Sequence, residues 1–159
     1  LACLTMDCLR TIGQRTTAAN IRVWCLTRAL SLEGKVDASR LYQHRFNRRQ
    51  VLSSPIESSV HILRVLVDSE RAHLINTHIA LDFGDRGTTG LHIRNSVACA
   101  TNGSGAAHIV TCNLETWADL LTGKLQLSSA IDAGQVVITG YISAVKTALA
   151  IFEVEGLRS

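Results

Sequence analysis

The chain has 159 residues, of which 47% are hydrophobic and 18% are charged, so it can form a hydrophobic core and does not have the composition of a disordered protein. Aromatic residues make up only 4%, which argues against a protein that stacks nucleic-acid bases on aromatic side chains. The formal net charge of +3 is too small to imply a nucleic-acid partner by itself.

One local basic run occurs at residues 44–49, with the sequence His-Arg-Phe-Asn-Arg-Arg. A run of this size is more typical of a solvated helix face than of a site for a polyanion. We therefore expect no nucleic-acid partner.

Cysteine usage indicates a reducing compartment. The count is odd and no Cys-x-x-Cys pair occurs among Cys3, Cys8, Cys25, Cys99 and Cys112. Neither a disulfide framework nor a zinc knuckle is therefore indicated. We expect Cys25, on an apolar helical face, and Cys112, in a strand, to be small buried hydrophobic side chains. Reduced thiols favour a cytoplasmic location.

The N-terminal sequence is not typical of a signal peptide, because residues 1–8 lack an initial methionine and a basic region. We expect that the chain starts within a longer gene product or has been trimmed. A leader absent from this chain would place the protein in the periplasm instead. No run of about 18 apolar residues occurs, so no transmembrane segment is predicted.

Residues 1–50 are predicted to be helical. Over residues 18–32, helical spacing relates the apolar residues Ile21, Trp24, Cys25, Ala29 and Leu32. Gly34 should end this helix, since glycine tolerates positive φ. Asp37 is the expected N-cap of a second helix, whose apolar positions are Leu41, Tyr42 and Phe46. The Ser-Ser-Pro sequence at 53–55 predicts the boundary between a helical extension (1–52) and a domain (53–159).

The middle of the chain changes from helical to strand periodicity. An amphipathic helix is predicted over residues 56–74, because one apolar stripe contains Ile56, Val60, Leu63, Leu66 and Val67. Within this segment, Asp68, Glu70 and Arg71 are expected to open a short further turn. From Leu74 the period becomes two, which predicts a strand at 75–83, a turn at 84–87, an antiparallel partner strand at 90–95 and a third strand at 96–101.

The last third of the chain alternates strands and helices. It predicts a strand at 107–114, helices at 115–122 and 127–133, a fifth strand at 135–139 and a closing helix at 143–154. The order of elements predicts an α+β fold, with a five-stranded, mainly antiparallel sheet covered by helices.

Two phrases in this last third resemble a known family. They are Trp-x-x-Leu-Leu-x-Gly-Lys at 117–124 and Ala-Ile-x-Ala-Gly-x-Val-x-Ile-x-Gly at 130–140, and they follow a strand. The combination resembles the sterol-carrier-protein-2-like (SCP2-like) domain, in the form that ends alkyl sulfatases. Residues 20–36 are similar to the end of the helical dimerisation region of those enzymes, so the resemblance extends into the predicted extension at 1–52.

This resemblance implies a container for an apolar molecule with no catalytic group of its own. In alkyl sulfatases a separate metallo-β-lactamase-like domain holds two zinc ions through a His-x-His-x-Asp-His motif. No such motif occurs among the six histidines here. We therefore expect no metal, cofactor or catalytic residue in this chain. Any sulfatase activity is expected in a partner chain or in a missing N-terminal part.

The predicted ligand site lies between the sheet and the helices. One sheet face is expected to carry apolar residues that oppose apolar residues of the helices, and helices standing off the sheet would leave a pocket of a few hundred Å³ for a lipid, sterol or long alkyl chain. The candidate ligand-binding residues are Ile79, Leu81, Leu91, Ile93, Ile109, Trp117, Leu121, Ile131, Leu149 and Phe152. The alternative is that these side chains simply fill a solid core.

A second interpretation is an interaction module. The helices of residues 15–50 would then form a homodimer interface, or bind a sulfatase partner chain, through Trp24, Leu26, Leu30, Tyr42 and Phe46. An independent enzyme is disfavoured, because no nucleophile with a partnered base and no Gly-x-Ser-x-Gly elbow occurs.

Three smaller features also bear on ligands. His78 and His92 are expected to oppose each other across the hairpin. They could then form either a metal-binding or pH-sensitive pair or, more commonly, an ordinary solvated pair. Arg64 and Arg94 are candidates to receive an anionic head group.

Overall fold

The computed structural model describes residues 2–36 and 45–158 and divides the chain into two compact units, Leu1–Gln43 and His44–Ser159. The helix predicted to begin at Asp37 and to contain Leu41 and Tyr42 lies outside the described residues. The two units are described separately.

The first unit contains a pair of helices, α1 (Ala2–Arg15) and α2 (Ala19–Leu32), and α2 confirms the helix predicted at 18–32. The helices approach closely at Gly13, where an added Cβ would lie 3.0 Å from the Leu26 side chain. Cys25 and Ala29 are buried. Gly34, at φ 71°, follows the end of α2 as predicted.

An ion-pair cluster also joins these two helices. The Arg10 Nε donates to Glu33 Oε1 at 2.9 Å, and Lys35 Nζ lies 3.1 Å from Glu33 Oε2. The hydrogen bonds from Arg10 and then from Lys35 lower the pKa of Glu33.

The second unit combines short helices with one sheet. Its helices are α3 (Arg48–Ser53), α4 (Ile56–Leu63), α5 (Leu114–Leu121), α6 (Leu127–Asp132) and α7 (Ile142–Leu149). Its strands are β1 (Thr77–Asp82), β2 (Thr88–Arg94), β3 (Val97–Thr101), β4 (His108–Cys112) and β5 (Val136–Thr139). Short 3₁₀ turns occur at Arg71–Leu74, Gly84–Arg86 and Glu155–Leu157.

The sheet has the strand order β3-β2-β1-β4-β5, and β1 pairs with β4 in parallel, whereas the other three pairings are antiparallel. The predicted α+β class and the five-stranded, mainly antiparallel sheet are therefore confirmed. Because side chains alternate along a strand, the sheet has an inner face, packed against the helices, and an outer face. Ile79 of β1 lies opposite Leu91 of β2 on the inner face, and both are fully buried.

The predicted helix over residues 56–74 is too long. Helix α4 ends at Leu63, and Val67 pairs instead with Phe152 in an isolated antiparallel bridge. The Asp68 N–H donates to the Ile151 carbonyl at 2.9 Å, and the Glu153 N–H donates to the Leu66 carbonyl at 2.8 Å. We call this pairing of residues 66–68 with 151–153 the chain bridge.

The chain bridge also explains why the closing helix, predicted at 143–154, ends at Leu149. Residues 151–153 must be extended to pair with residues 66–68, and an extended backbone cannot continue a helix. Beyond the bridge, the Asp68 side chain accepts the N–H groups of Glu70 and Arg71 and starts the Arg71–Leu74 turn. Two local helix patterns were therefore overridden by one long-range pairing.

Helix α3 packs within the second unit, although the sequence interpretation assigned residues 45–52 to the extension. The Arg48 Nε donates to Asp119 Oδ1 of α5 at 2.7 Å, and Val51 is buried. The Asn47 side chain caps α3 by accepting the Arg49 N–H. Pro55 occupies the N-cap of α4, directly before the first helical residue, Ile56.

We predict that Gly156→Ala destabilises the second unit by about 1–3 kcal/mol. A Cβ at this buried position would overlap the Leu120 carbonyl oxygen and lie 2.5 Å from the Leu125 carbonyl oxygen, so backbone would have to move. Urea unfolding followed by circular dichroism measures the change. The exposed neighbour Glu153 is the control, since Glu153→Ala should change stability by less than about 0.5 kcal/mol. Equal stabilities of the two variants would show that the turn tolerates a side chain.

Candidate functional site

The structure brings most of the predicted ligand-binding residues together on the inner side of the sheet. Eight of the ten belong to one cluster of buried side chains, and each is at most 4% exposed: Ile79, Leu81, Leu91, Ile93, Trp117, Leu121, Leu149 and Phe152. Ile131 is half-buried and packs against the same cluster. Nine of the ten predicted residues therefore form the hydrophobic core or pack against it.

Ile109 does not share this face, and its placement with the other sheet residues is corrected. It pairs with Ala80 in the parallel register of β4 and β1, points to the outer face and is 38% exposed. The buried residues of β4 are His108, Val110 and Cys112. Side chains alternate between the two faces along a strand, so Ile109 cannot share the inner face with its neighbours His108 and Val110. Val110 occupies the inner position that was predicted for Ile109.

An open pocket lies between α3 and α4. Its empty space of about 350 Å³ includes open solvent at the mouth, and the centre of a water molecule can reach about 30 Å³ of it. We call it the helix pocket. Its lining residues are Phe46, Asn47, Gln50, Val51, Ser54, Pro55, Ser58, Ser59 and Ile62. Apolar side chains come from both helices, and Val51 and Ser59 are buried.

Ser59 connects the helix pocket to the hydrophobic core. The Trp117 indole N–H donates to the Ser59 hydroxyl at 3.1 Å, and the Ser59 hydroxyl donates to the Ile56 carbonyl at 3.0 Å. Trp117 is fully buried and also packs edge-on against Phe83, with 5.8 Å between ring centroids. The Ser59 hydroxyl therefore lines the pocket and also accepts the N–H of Trp117, one of the predicted ligand-binding residues.

Sequence reasoning missed the helix pocket, although one signal for it was present. Ser59 falls on the apolar stripe of α4, three residues after Ile56 and four before Leu63, so its hydroxyl had to be buried. A buried hydroxyl needs a hydrogen-bond partner, and a buried tryptophan needs an acceptor for its N–H. Pairing these two requirements would have brought α4 next to Trp117.

The mouth of the helix pocket is basic. Arg45 and Arg49 are exposed and lie beside the lining residues Phe46 and Asn47 in the chain. In the described part of the chain neither arginine forms an ion pair, whereas Arg48 is bonded to Asp119. The hydrogen bond to Asp119 raises the pKa of Arg48. The run predicted as a solvated face is helical only from Arg48.

The other predicted candidates lie apart from the helix pocket. Arg64 contacts the His61 ring, with its Nη1 3.2 Å from Nδ1, and Arg94 lies at the end of β2. The opposition of His78 and His92 is confirmed by the β1–β2 register. Within residues 2–36 and 45–158, no three or more His, Cys, Asp or Glu side chains are grouped to hold a metal ion.

The cysteines behave as the sequence predicts at the two buried positions. Cys25 and Cys112 are buried, and burial, with a smaller contribution from Asp82, raises the pKa of the Cys112 thiol to about 12. Cys112 is therefore a neutral, unreactive core side chain at physiological pH. No helix in the described ranges is both long and apolar enough to cross a membrane.

We predict that Ser59→Ala destabilises the second unit by about 1–3 kcal/mol, because the buried Trp117 N–H then loses its acceptor. The control is Ser58→Ala, since Ser58 lines the same pocket and its side chain is half-buried. It should change stability by less than about 0.5 kcal/mol. Urea unfolding of both variants is the measurement. A similar cost for both would mean that the Trp117 bond contributes little.

Comparison with known proteins relates this geometry to a fold. No protein-family model and no curated protein sequence matches the chain. The stereoselective inverting sec-alkylsulfatase Pisa1 from Pseudomonas sp. aligns with 95% of this chain and 24% of its own, at 21% identity and a TM-score of 0.59. A double mutant of the sec-alkyl sulfatase PisA1 aligns with 99% of this chain and 25% of its own, at 20% identity and a TM-score of 0.60.

A sterol carrier protein domain 2 of Helicoverpa armigera aligns with 67% of this chain and 89% of its own, at 16% identity and a TM-score of 0.49. The chain spans about a quarter of the length of the sulfatase structures that it matches. At these identities the likeness to the sulfatases shows a shared fold. The chain thus has the predicted SCP2-like α+β fold and resembles the C-terminal domain of alkyl sulfatases.

Proposed function

We propose that this chain binds an apolar or amphiphilic molecule, such as a lipid, a sterol or a long alkyl chain, and that the helix pocket is the entrance to its site. The observation that carries this proposal is the apolar opening between α3 and α4 next to the buried Trp117. Nine of the ten predicted ligand-binding residues remain the proposed interior of the site. Ile109 is excluded, because it lies on the outer face.

The helix pocket in this structure is smaller than the tail of such a ligand. Ligand pockets usually enclose about 300–1,000 Å³. Here the empty space of about 350 Å³ includes open solvent at the mouth, and the centre of a water molecule can reach only about 30 Å³ of it. Burying a ten-carbon chain would contribute about 8 kcal/mol before the costs of association, so the affinity would be weaker than micromolar. A long chain would therefore have to enter between the helices.

Helix α3 is suited to such opening, because it has six residues, of which only Val51 is buried, and is tied to α5 by the half-exposed Arg48–Asp119 pair. Short elements with few buried anchors open at low free-energy cost. Helix α4 is held more firmly, since its Ile56, Val60 and Leu63 belong to the hydrophobic core. A tail that displaces Val51 and Ser59 would reach Trp117, and from there the other core residues of the proposed site.

The mouth of the pocket favours an amphiphile over a purely apolar ligand. Asn47, Gln50, Ser54 and Ser58 supply polar groups to the lining, and Arg45 and Arg49 add positive charge close by. A polar head group would stay at this mouth while the tail is buried. In this arrangement the chain needs no catalytic group.

We further propose that the chain gathers amphiphilic substrate for an alkyl sulfatase whose catalytic domain lies in a partner chain or in another part of the same protein. The matched structures are named sec-alkyl sulfatases, and the chain corresponds to about a quarter of their length.

The proposed location of the protein is the cytoplasm. The five cysteines are free thiols, as is usual in a reducing compartment.

We predict that the chain binds 1-decanol with an affinity that Ser58→Phe lowers about tenfold or more. The phenyl ring would occupy the helix pocket, and losing half of the buried chain costs more than 1.4 kcal/mol. Isothermal titration calorimetry measures the affinity, and native mass spectrometry with lipid extraction identifies any co-purified ligand.

Val65→Phe is the matched control, since Val65 is 80% exposed and follows the same helix. It should leave decanol binding unchanged. A wild-type chain that purifies without ligand and does not bind decanol would refute the binding function. Equal loss in both variants would refute the helix pocket as the entrance.

A second candidate function, self-association through the first unit, is favoured by the exposed side chains of α2. Ile21, Val23 and Trp24 are exposed, whereas this helix buries the smaller Cys25 and Ala29. Leu26 and Leu30 are half-buried. Of the other residues predicted for this interface, Tyr42 lies outside the described residues and Phe46 lines the helix pocket.

We predict that the wild-type chain dimerises and that Trp24→Glu shifts it to a monomer, because a carboxylate would replace the largest exposed side chain of α2. Sedimentation velocity over a range of concentrations is the measurement. Arg28→Ala, an exposed change on the same helix, is the control and should remain dimeric. A wild-type monomer at high concentration would rule this function out.

A further inference from the structure

We propose that His78 and His92 form a binding site for a divalent transition-metal ion such as Zn²⁺ on the outer face of the sheet. The two residues lie directly opposite each other on the neighbouring antiparallel strands β1 and β2. Both side chains are partly exposed, so an ion can reach them from solvent. The pair supplies two imidazole ligands, and water completes the coordination.

The separation of the two rings matches a chelate. Their centroids are 5.3 Å apart, and the ring planes are tilted by 36°. An imidazole nitrogen binds Zn²⁺ at about 2.0–2.1 Å, which places the ring centre about 3.2 Å from the ion. Two imidazoles on one tetrahedral ion therefore have centroids about 5.2 Å apart. The strands already hold the rings at this spacing, so binding requires ring rotation rather than backbone movement.

The surroundings of His78 resemble the support that metal-ligating histidines have. Its Nε2 lies 2.8 Å from the Thr101 hydroxyl of β3, and the backbone of Gly105 also hydrogen-bonds the ring. The Thr101 hydroxyl in turn accepts the Gly103 N–H at 3.1 Å. Ligating imidazoles are usually oriented by a hydrogen bond from their second nitrogen. To bind the ion through Nε2, His78 would exchange this hydroxyl for the ion, which breaks one hydrogen bond between uncharged groups.

Besides the two histidines, the titratable or charged groups on this face of β1, β2 and β3 are Cys99, opposite His92, and Asp82 and Arg94, nearer the strand ends. The outward residues of β4, Ile109 and Thr111, carry no charge.

The test is a Zn²⁺ titration of the chain prepared without a polyhistidine tag. Long-range ¹H–¹⁵N spectra report the imidazole nitrogens, and calorimetry gives the affinity. We expect saturable shifts of the His78 and His92 rings at pH 7.5. Since loss of an outer-shell partner already costs 10–100-fold in affinity, His92→Gln should weaken binding at this site by about tenfold or more.

Two further variants separate this site from other metal-binding groups. His73→Gln removes an exposed histidine on the Arg71–Leu74 turn and should leave the affinity unchanged. Cys99→Ser should also retain the shifts of both rings, because two imidazoles suffice for the proposed site. Ring signals that do not move at millimolar Zn²⁺, or an unchanged affinity in His92→Gln, would overturn the proposal. So would loss of binding in Cys99→Ser, which would assign the ion to the thiol.

Discussion

The pairing of β1 on both edges is the constraint on which the second unit depends. This central strand forms an antiparallel ladder with β2 and a parallel ladder with β4. A parallel pairing cannot be closed by a tight turn, so the chain must first leave through β2 and β3 and then return beside β1. That return brings β4 and the helices after it over the inner face. The residues of β1 that point to this face, Ile79 and Leu81, are consequently buried under the helices.

The helix layer follows from the same arrangement. Because α5 begins directly after β4, its position is fixed by the parallel pairing, and the Asn113 cap at its start sets the direction in which it leaves the sheet. Trp117 then points into the core, where its N–H needs a hydrogen-bond acceptor. The Ser59 hydroxyl of α4 is that acceptor. Ser59 also lines the helix pocket, so this hydrogen bond links the proposed entrance to the core.

The sequence predicted the sheet better than the helices, and the reason is physical. Alternation along β1 and β2 is a local property of consecutive residues, and it located the strands, their register and the opposition of His78 and His92. The ends of α4 and α7 are set instead by the chain bridge, which joins residues more than eighty positions apart. No local pattern contains that information, because both segments also have an acceptable helical stripe.

Some residues of the candidate site were likewise predictable from the sequence, and one was predicted wrongly. The buried core residues were predictable, since large apolar side chains on an inner face have nowhere else to lie. The error at Ile109 arose because hydrophobicity was given more weight than alternation. In β4 the more apolar residue points outward, while His108 is buried with Val110 and Cys112, and the His108 Nδ1 accepts the Tyr141 N–H. His108 is a polar residue in the sequence, but it can be buried because a backbone N–H satisfies its ring nitrogen.

The sheet also separates the two proposed binding functions. The helix pocket lies on the helix side of the inner face, whereas the histidine pair lies on the outer face of β1 and β2. Ligand entry requires α3 and α4 to open, while metal binding requires two strands to remain at their present spacing. The first therefore depends on the short helix α3 and on a shift of α4, and the second depends on the central ladder. A change that loosens α3 should alter the first function and leave the second intact, because the two proposed sites lie on opposite faces of the sheet.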